Sequence, residues 1–441
     1  MERLPIVTSG PIARAFVGLR YRREDLSSVL APPYDVISPE QQERLHRRDP
    51  HNVVRLELGY GDASHDDRYA RSAQTLNLWR REGILGYDDG PCLYPCEHVF
   101  RLHGQTLTRV GMLCAVRLVP FEEGVVRPHE GTLKAPREDR RRLMVACKAQ
   151  ISPVFALHDD PAGSIAGLLA QMMADEPVAE AEIDSERHRL WRCAQDALTN
   201  QYCQALGQGP LYIADGHHRY ETALAVRDEL RRAHPDVPPD AALNYVLTLL
   251  CPGEQPGVVI LPTHRLLRFA DANQRAAFDA HLARHFERRP IPCAVGKAME
   301  AAHSLIQSLE QGDPTGRFGV YTRADGCALL TVKPQFMPEG SGPGGIDELG
   351  TVLIHRLLID PVFGSDGLGS AVSYVMDEAE AVRRVDEGSA ECALFLRPTT
   401  VAQVERVAAA GLRMPGKSTY FYPKAPTGLV INDISLDRAI G

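Results

Sequence analysis

Tyr212-Ile-Ala-Asp-Gly-His-His-Arg-Tyr-Glu-Thr-Ala-Leu224 is a short apolar run, an abrupt Asp215-Gly216 turn and a helix opening on His217, His218 and Arg219. A helix start leaves backbone N–H groups unpaired and carries the positive end of the macrodipole, so it suits an anion. Placing three potential cations on that first turn runs against the dipole preference for Asp and Glu. The arrangement points to a negative ligand, phosphate or carboxylate. His217 and His218 project roughly 100° apart on a helix, so one is expected to face the ligand and the other to pack. Asp215 has three open roles: capping the helix, orienting a histidine, or holding Mg²⁺.

Outward from this turn, strands and helices alternate. Strand patterns fall at 11–21, 92–101, 106–119, 152–157, 210–214, 244–251, 257–262, 316–322, 327–333 and 371–376. The pair at 92–101 and 106–119 is joined tightly through His103-Gly104-Gln105. Helices are expected at 66–82, 137–150, 162–174, 193–206, 217–233, 271–285, 295–311 and 347–358. Another begins after Ser38, with Pro39 at its first position and Gln41 set to complete a capping box. Mixed hairpins and crossovers predict an α+β fold of mixed-sheet α/β domains rather than a regular doubly wound sheet. The expected partition is an N-terminal α/β domain over 1–120, a central domain over 121–335 carrying the Asp-Gly-His-His-Arg turn, and a C-terminal α/β segment over 346–441. The Pro- and Gly-rich stretch Lys333–Gly345 is the best linker or mobile loop.

Composition narrows the function. The chain has 441 residues, 44% hydrophobic and 24% charged, which is enough for more than one core. A net charge of −8 argues against a general nucleic-acid surface, leaving a small-molecule substrate as the expected partner. Met1-Glu-Arg-Leu-Pro5 lacks the pattern of a signal peptide, and no apolar run approaches the ~20 residues that cross a bilayer. Ten cysteines lie without paired spacing. Cys92 and Cys96 come closest but have no second pair to complete a zinc site. A cytoplasmic protein with reduced thiols is expected.

Three further loops concentrate polar groups. Arg127-Pro-His129-Glu130-Gly-Thr132-Leu-Lys134 offers Glu130 as a general base or metal ligand, Lys134 as a phosphate contact and His129 as either. Leu133 stands four after His129, so the zinc-protease pattern is absent. Asp139-Arg140 just beyond is expected to anchor the helix. Ala31-Pro-Pro-Tyr-Asp35-Val36 is stiffened by two prolines and would turn Asp35 toward the site. Asn52-Val-Val-Arg55-Leu-Glu57 resembles a short strand carrying Arg55. Gly411-Leu-Arg-Met-Pro-Gly416-Lys417-Ser418 fits the P-loop pattern, but an amphipathic helix precedes it and β-prone residues follow, the reverse of a P-loop. Lys417, Ser418, Thr419 and Lys424 remain as anion contacts from a non-helical loop.

Together, Ala31–Ser38, His129-Glu130-x-Thr132 with Asp139-Arg140, Ser152-Pro-Val-Phe155, Asp215–Tyr220 and Met414–Lys424 resemble a widespread prokaryotic family, DUF1015, a domain of unknown function. The Asp-Gly-His-His-Arg segment also resembles the phosphate-handling turn of the ParB/sulfiredoxin superfamily, which includes archaeal free-serine kinases. That resemblance implies that Gly216, His217, His218 and Arg219 hold phosphate, with Asp215 or Glu130 as base. The matching loops bring Asp35, His129, Thr132, Lys134, Lys417, Ser418, Thr419 and Lys424 as substrate or phosphate contacts, with His218 as a further catalytic group. It implies a phosphotransferase with a nucleotide or pyrophosphate donor, Mg²⁺, and a hydroxylated acceptor such as serine. A nucleotide-binding regulatory protein of ParB type and a phosphoester hydrolase are the alternatives. Sulfiredoxin's catalytic cysteine has no counterpart in this turn.

Overall fold

The structure is a computed structural model describing residues 12–60, 65–132, 134–207, 209–292, 297–311, 315–364 and 371–440. It is mixed α/β and divides into two compact units. The first comprises residues 1–128, 132–259 and 423–441; the second comprises 129–131 and 260–422. Among the described residues, no helix is long and apolar enough to cross a membrane.

The first unit is built on a nine-stranded mixed sheet. Its strands are β1 (Ala13–Arg14), β2 (Tyr94–Leu102), β3 (Gln105–Arg117), β4 (Val126–Arg127), β5 (Val154–His158), β6 (Ala179–Ile183), β7 (Glu186–Leu190), β8 (Leu211–Asp215) and β9 (Tyr245–Pro252). The order is β4-β8-β5-β9-β3-β2-β7-β6, with β1 paired to β3. β5 and β9 run parallel, as do β4 and β8, while β3 pairs antiparallel with both β2 and β9. β9 reads Tyr-Val-Leu-Thr-Leu-Leu-Cys without alternation and is buried through Cys251, as a central strand covered on both faces should be. The β2–β3 turn has His103 at φ 47° and Gly104 at φ 78°, the two positive values of a type I′ hairpin. Two helices matter for the site: α1 (Lys134–Cys147) and α2 (His217–Ala233), which pack on each other.

The second unit holds a six-stranded antiparallel sheet, in the order Phe286–Ile291, Gly326–Val332, Arg317–Thr322, Cys392–Phe395, His264–Leu267, Val372–Val375. Its strands separate two cores. Phe278, Phe318 and Leu358 lie in one, and Leu305, Tyr321 and Phe395 in the other.

Local departures from the sequence expectation have physical causes. Asn52–Glu57 is not a strand but leads into a helical turn, Val54–Glu57. The Asn52 side chain accepts from the Val54 N–H at 3.0 Å and donates to the Ser28 and Leu30 carbonyls, a local pattern that competes with extended pairing. The run 11–21 supplies two short strands, Ala13–Arg14 and Leu19–Tyr21, in different sheets. The helix expected over 347–358 starts as Gly350–Ile354 and widens into a π turn at His355–Ile359. The hairpin of β6 and β7 was hidden by its charge: Glu-Arg-His-Arg-Leu carries one apolar residue, and Asp184 and Ser185 adopt positive φ at the turn.

Candidate functional site

In the first unit, β8 delivers Asp215 to the end of a strand flanked by β5 and β4. Gly216 then takes φ 86°, ψ 27°, a left-handed conformation that reverses the chain in one residue, and α2 begins at His217. A methyl at Gly216 would lie 2.9 Å from Arg219 Nε, so glycine is required both by φ and by the side chain folded beneath it. Tyr220 locks the first turn from behind. Its hydroxyl donates to the Val119 carbonyl at 2.8 Å and accepts from the Val119 N–H at 3.0 Å.

Asp215 is held by two cations. Arg219 Nη2 donates to Oδ2 at 2.5 Å, and Lys424 Nζ, 209 residues away in sequence, donates to Oδ1. Arg219 also donates to the Pro153 carbonyl and is buried, with His217 beside it; His218 is half-buried. Burial alone would raise the Asp215 carboxyl, but Lys424 first and then Arg219 overcome it and hold the group well below the usual carboxylate range. A carboxylate so tightly paired binds a proton poorly, which favours an anchoring role over proton abstraction. Its two oxygens face different cations, Oδ2 toward Arg219 and Oδ1 toward Lys424.

Other polar residues of this unit meet α1 and α2. Thr132 donates its hydroxyl to Glu221 on α2, and Arg137 Nη1 reaches the same carboxylate at 3.0 Å. Lys134 is the first residue of α1; its side chain lies outside the described set. Arg140 anchors α1 through Glu57 and Asp139, and its guanidinium lies 3.9 Å from the Tyr34 ring centroid. Burial pushes the Tyr34 hydroxyl up to about 12, with Arg140, Asp35 and Arg219 all within electrostatic reach. Asp35 itself is exposed in a short 3₁₀ turn, Tyr34–Val36. A cavity of ≈ 30 Å³, lined by Glu57, Arg140, Ser152 and Arg219 among others, leaves room for about one water behind Arg219.

The second unit brings together remaining expected residues from two of its segments, 129–131 and the loop before strand Tyr420–Tyr422. Glu130 Oε1 accepts the Lys417 N–H at 2.5 Å, and His129 Nε2 meets Thr419 Oγ1 at 2.8 Å. Ser418 Oγ donates to the Pro415 carbonyl at 2.7 Å, and Thr263 Oγ1 to the Lys417 carbonyl at 2.8 Å. Lys417 sits at φ 61°, a strained backbone for a non-glycine residue, with its side chain exposed. Helix Val401–Ala409 precedes the loop and strand Tyr420–Tyr422 follows it, so the Gly-Lys-Ser pattern stands at no helix start and is not a P-loop.

A model of the family described as "Protein of unknown function (DUF1015)" matches residues 13–356. The chain belongs to the DUF1015 family. No curated protein matches this DUF1015 chain. Solved structures similar to it include a conserved hypothetical protein from Pyrococcus furiosus, 12% identical with a TM-score of 0.36, which covers 73% of this chain and 97% of that one. A free serine kinase in complex with AMP is 11% identical with a TM-score of 0.38, covering 74% and 92%. SbnI with C-terminal truncation from Staphylococcus aureus is 9% identical with a TM-score of 0.36, covering 74% and 89%.

Sequence inspection passed over one group. Among the described residues, a single cluster of three potential metal ligands occurs, and none of the three was among the residues singled out above: His98 on β2 with Glu186 and His188 on β7. The available signal was the i, i+2 spacing of Glu186 and His188, which places both on one face of a strand.

Proposed function

We propose that this DUF1015 protein is a phosphotransferase that moves a phosphoryl group from a nucleotide or pyrophosphate to a small hydroxylated metabolite such as serine. One observation carries the proposal: a single carboxylate, Asp215, is shared by Arg219 and Lys424 at the N-terminus of a 17-residue helix. The helix end adds its own partial positive charge, so the turn is cation-rich where an anion would be welcome.

Phosphoryl transfer asks a protein chiefly for positioning and charge neutralisation. In this proposal the first-turn N–H groups and Lys424 take phosphate oxygens, while Asp215 and Arg219 keep the turn in shape. His218, half-buried on the first turn, is the catalytic group of this reading. A magnesium ion would accompany the donor's own phosphates.

The test is incubation of the purified protein with serine and ATP, ADP or pyrophosphate in the presence of Mg²⁺. Phosphoserine with one of the donors, and a rise in melting temperature on adding that donor, are expected. No phosphoserine with any donor and an unchanged melting temperature would sink the proposal. Phosphate released without an acceptor would make the protein a phosphoester hydrolase instead. A melting-temperature rise without turnover would make it a nucleotide-binding regulator.

A further inference from the structure

On one face of the first unit's sheet, β2 and β7 set two imidazoles side by side. His98 and His188 are direct cross-strand partners, with ring centroids 3.9 Å apart. Glu186 precedes His188 by two residues and so shares its face, diagonal to His98. Its Oε2 lies 2.7 Å from His98 Nε2. One ligand-type atom from each of the three lies within 4.8 Å of the other two. His188 is only 5% exposed, and its ring packs against that of His98 rather than facing open solvent.

We propose that His98, Glu186 and His188 form a binding site for a divalent transition-metal ion, zinc in the first instance. Two imidazoles and one carboxylate are the three protein ligands of an open tetrahedral zinc site, in which a water fills the fourth position. The donor set favours a borderline ion over magnesium or calcium, which prefer oxygen. A cavity of ≈ 20 Å³ lined by both histidines, Cys96, Arg109 and Cys251 adjoins the cluster and has room for about one such water.

The hydrogen positions follow from the neighbours. Arg109 Nη2 lies 3.2 Å from His98 Nδ1, and a guanidinium has only N–H groups to offer. Nδ1 is therefore the lone-pair nitrogen, and Nε2 carries its hydrogen toward Glu186. A zinc ion bound at Nε2 takes the lone pair there, so the ring hydrogen moves to Nδ1 and the ring stays a neutral imidazole. Arg109 Nη2 then gives up its contact with Nδ1, while Arg109 Nη1 keeps the Pro423 carbonyl.

The site is independent of phosphoryl transfer and is tested without an activity assay. Intact protein stripped with a chelator and dialysed free of it is titrated with Zn²⁺ by calorimetry and with Co²⁺ by visible absorption. Wild type should take up one equivalent of each, with the d–d bands of a low-coordinate Co²⁺ ion. His188→Phe and Glu186→Gln should each weaken uptake by about tenfold or more while the circular dichroism spectrum is unchanged. Glu186 is the partly exposed ligand, so Glu186→Gln decides the matter where His188→Phe does not fold. No stoichiometric uptake by wild type, or uptake undiminished in Glu186→Gln, would overturn the site and leave the cluster as a Glu186–His98–Arg109 hydrogen-bond chain.

Discussion

Gly216 and Asp215 are the residues on which the candidate turn depends. At φ 86° any L side chain is strained, and a methyl would press on Arg219 Nε. Gly216→Ala should therefore destabilise by about 1–2 kcal/mol from the backbone alone, more if Arg219 is displaced, as read by urea unfolding. Asp215→Asn leaves Lys424 and Arg219 without their shared carboxylate, and about 3–5 kcal/mol should be lost. The pH dependence has a definite sign. Because folding lowers the Asp215 pKa, its contribution is complete above the unfolded carboxylate value, about 4, and declines as pH falls from there toward the lower folded value. The Asn variant should show a flatter acid limb when urea midpoints are compared between about pH 6 and 3. A limb as steep as that of wild type would mean that Asp215 is not the carboxylate responsible. The sequence showed this turn through its glycine and its helix start. It did not show Lys424 as the partner of Asp215, since no local spacing links residues 209 apart.

At the scale of elements, legibility followed the hydrophobic period. His217–Ala233 and the β2–β3 hairpin matched because each has a strong local signal, a Gly-preceded helix start and a His-Gly turn. Val54–Glu57 and the β6–β7 hairpin did not, because side-chain hydrogen bonds decided the first and charged residues masked the second. α1 is held through one buried pair that the sequence only hinted at. Arg140 Nη1 meets Glu57, which also accepts from Ser152 Oγ, and Asp139 completes the set with Arg68 and Tyr69. Removing the cation strands a carboxylate that is 4% exposed. Arg140→Ala should cost about 3–5 kcal/mol. The double variant Arg140→Ala/Glu57→Gln should recover part of that loss, because it removes the orphaned charge as well. A double-mutant cycle by urea unfolding measures the coupling. Strict additivity would show that Glu57 gains nothing from Arg140.

Across the whole molecule, the chain returns to its first unit at the end. Among the described residues, 423–440 contribute one two-residue strand, Asn432–Asp433, and bond to several distant parts of that unit. The Pro423 carbonyl accepts from the fully buried Arg109 at 2.6 Å, Lys424 meets Asp215, and Thr427 and Ala31 exchange backbone hydrogen bonds. Asn432 donates to Gln150 at 3.0 Å, and Ile440 N donates to the Asp240 carbonyl. Leu429, Val430, Ile431, Ile434 and Ile440 are buried along the way. Hydropathy alone does not distinguish such a tail from a surface extension, because its partners lie hundreds of residues upstream. Truncation after Tyr422 would expose those five apolar contacts and leave Arg109 buried without its carbonyl acceptor. At about 1.5–3 kcal/mol per apolar side chain, the loss matches or exceeds the whole stability of an ordinary domain, about 5–15 kcal/mol. The truncated protein should lose the cooperative unfolding of the first unit by circular dichroism and become sensitive to protease within residues 12–259. A truncation that keeps wild-type protection there would show that the tail only decorates a unit complete without it, and Lys424 would then lose its claim to a place in the site.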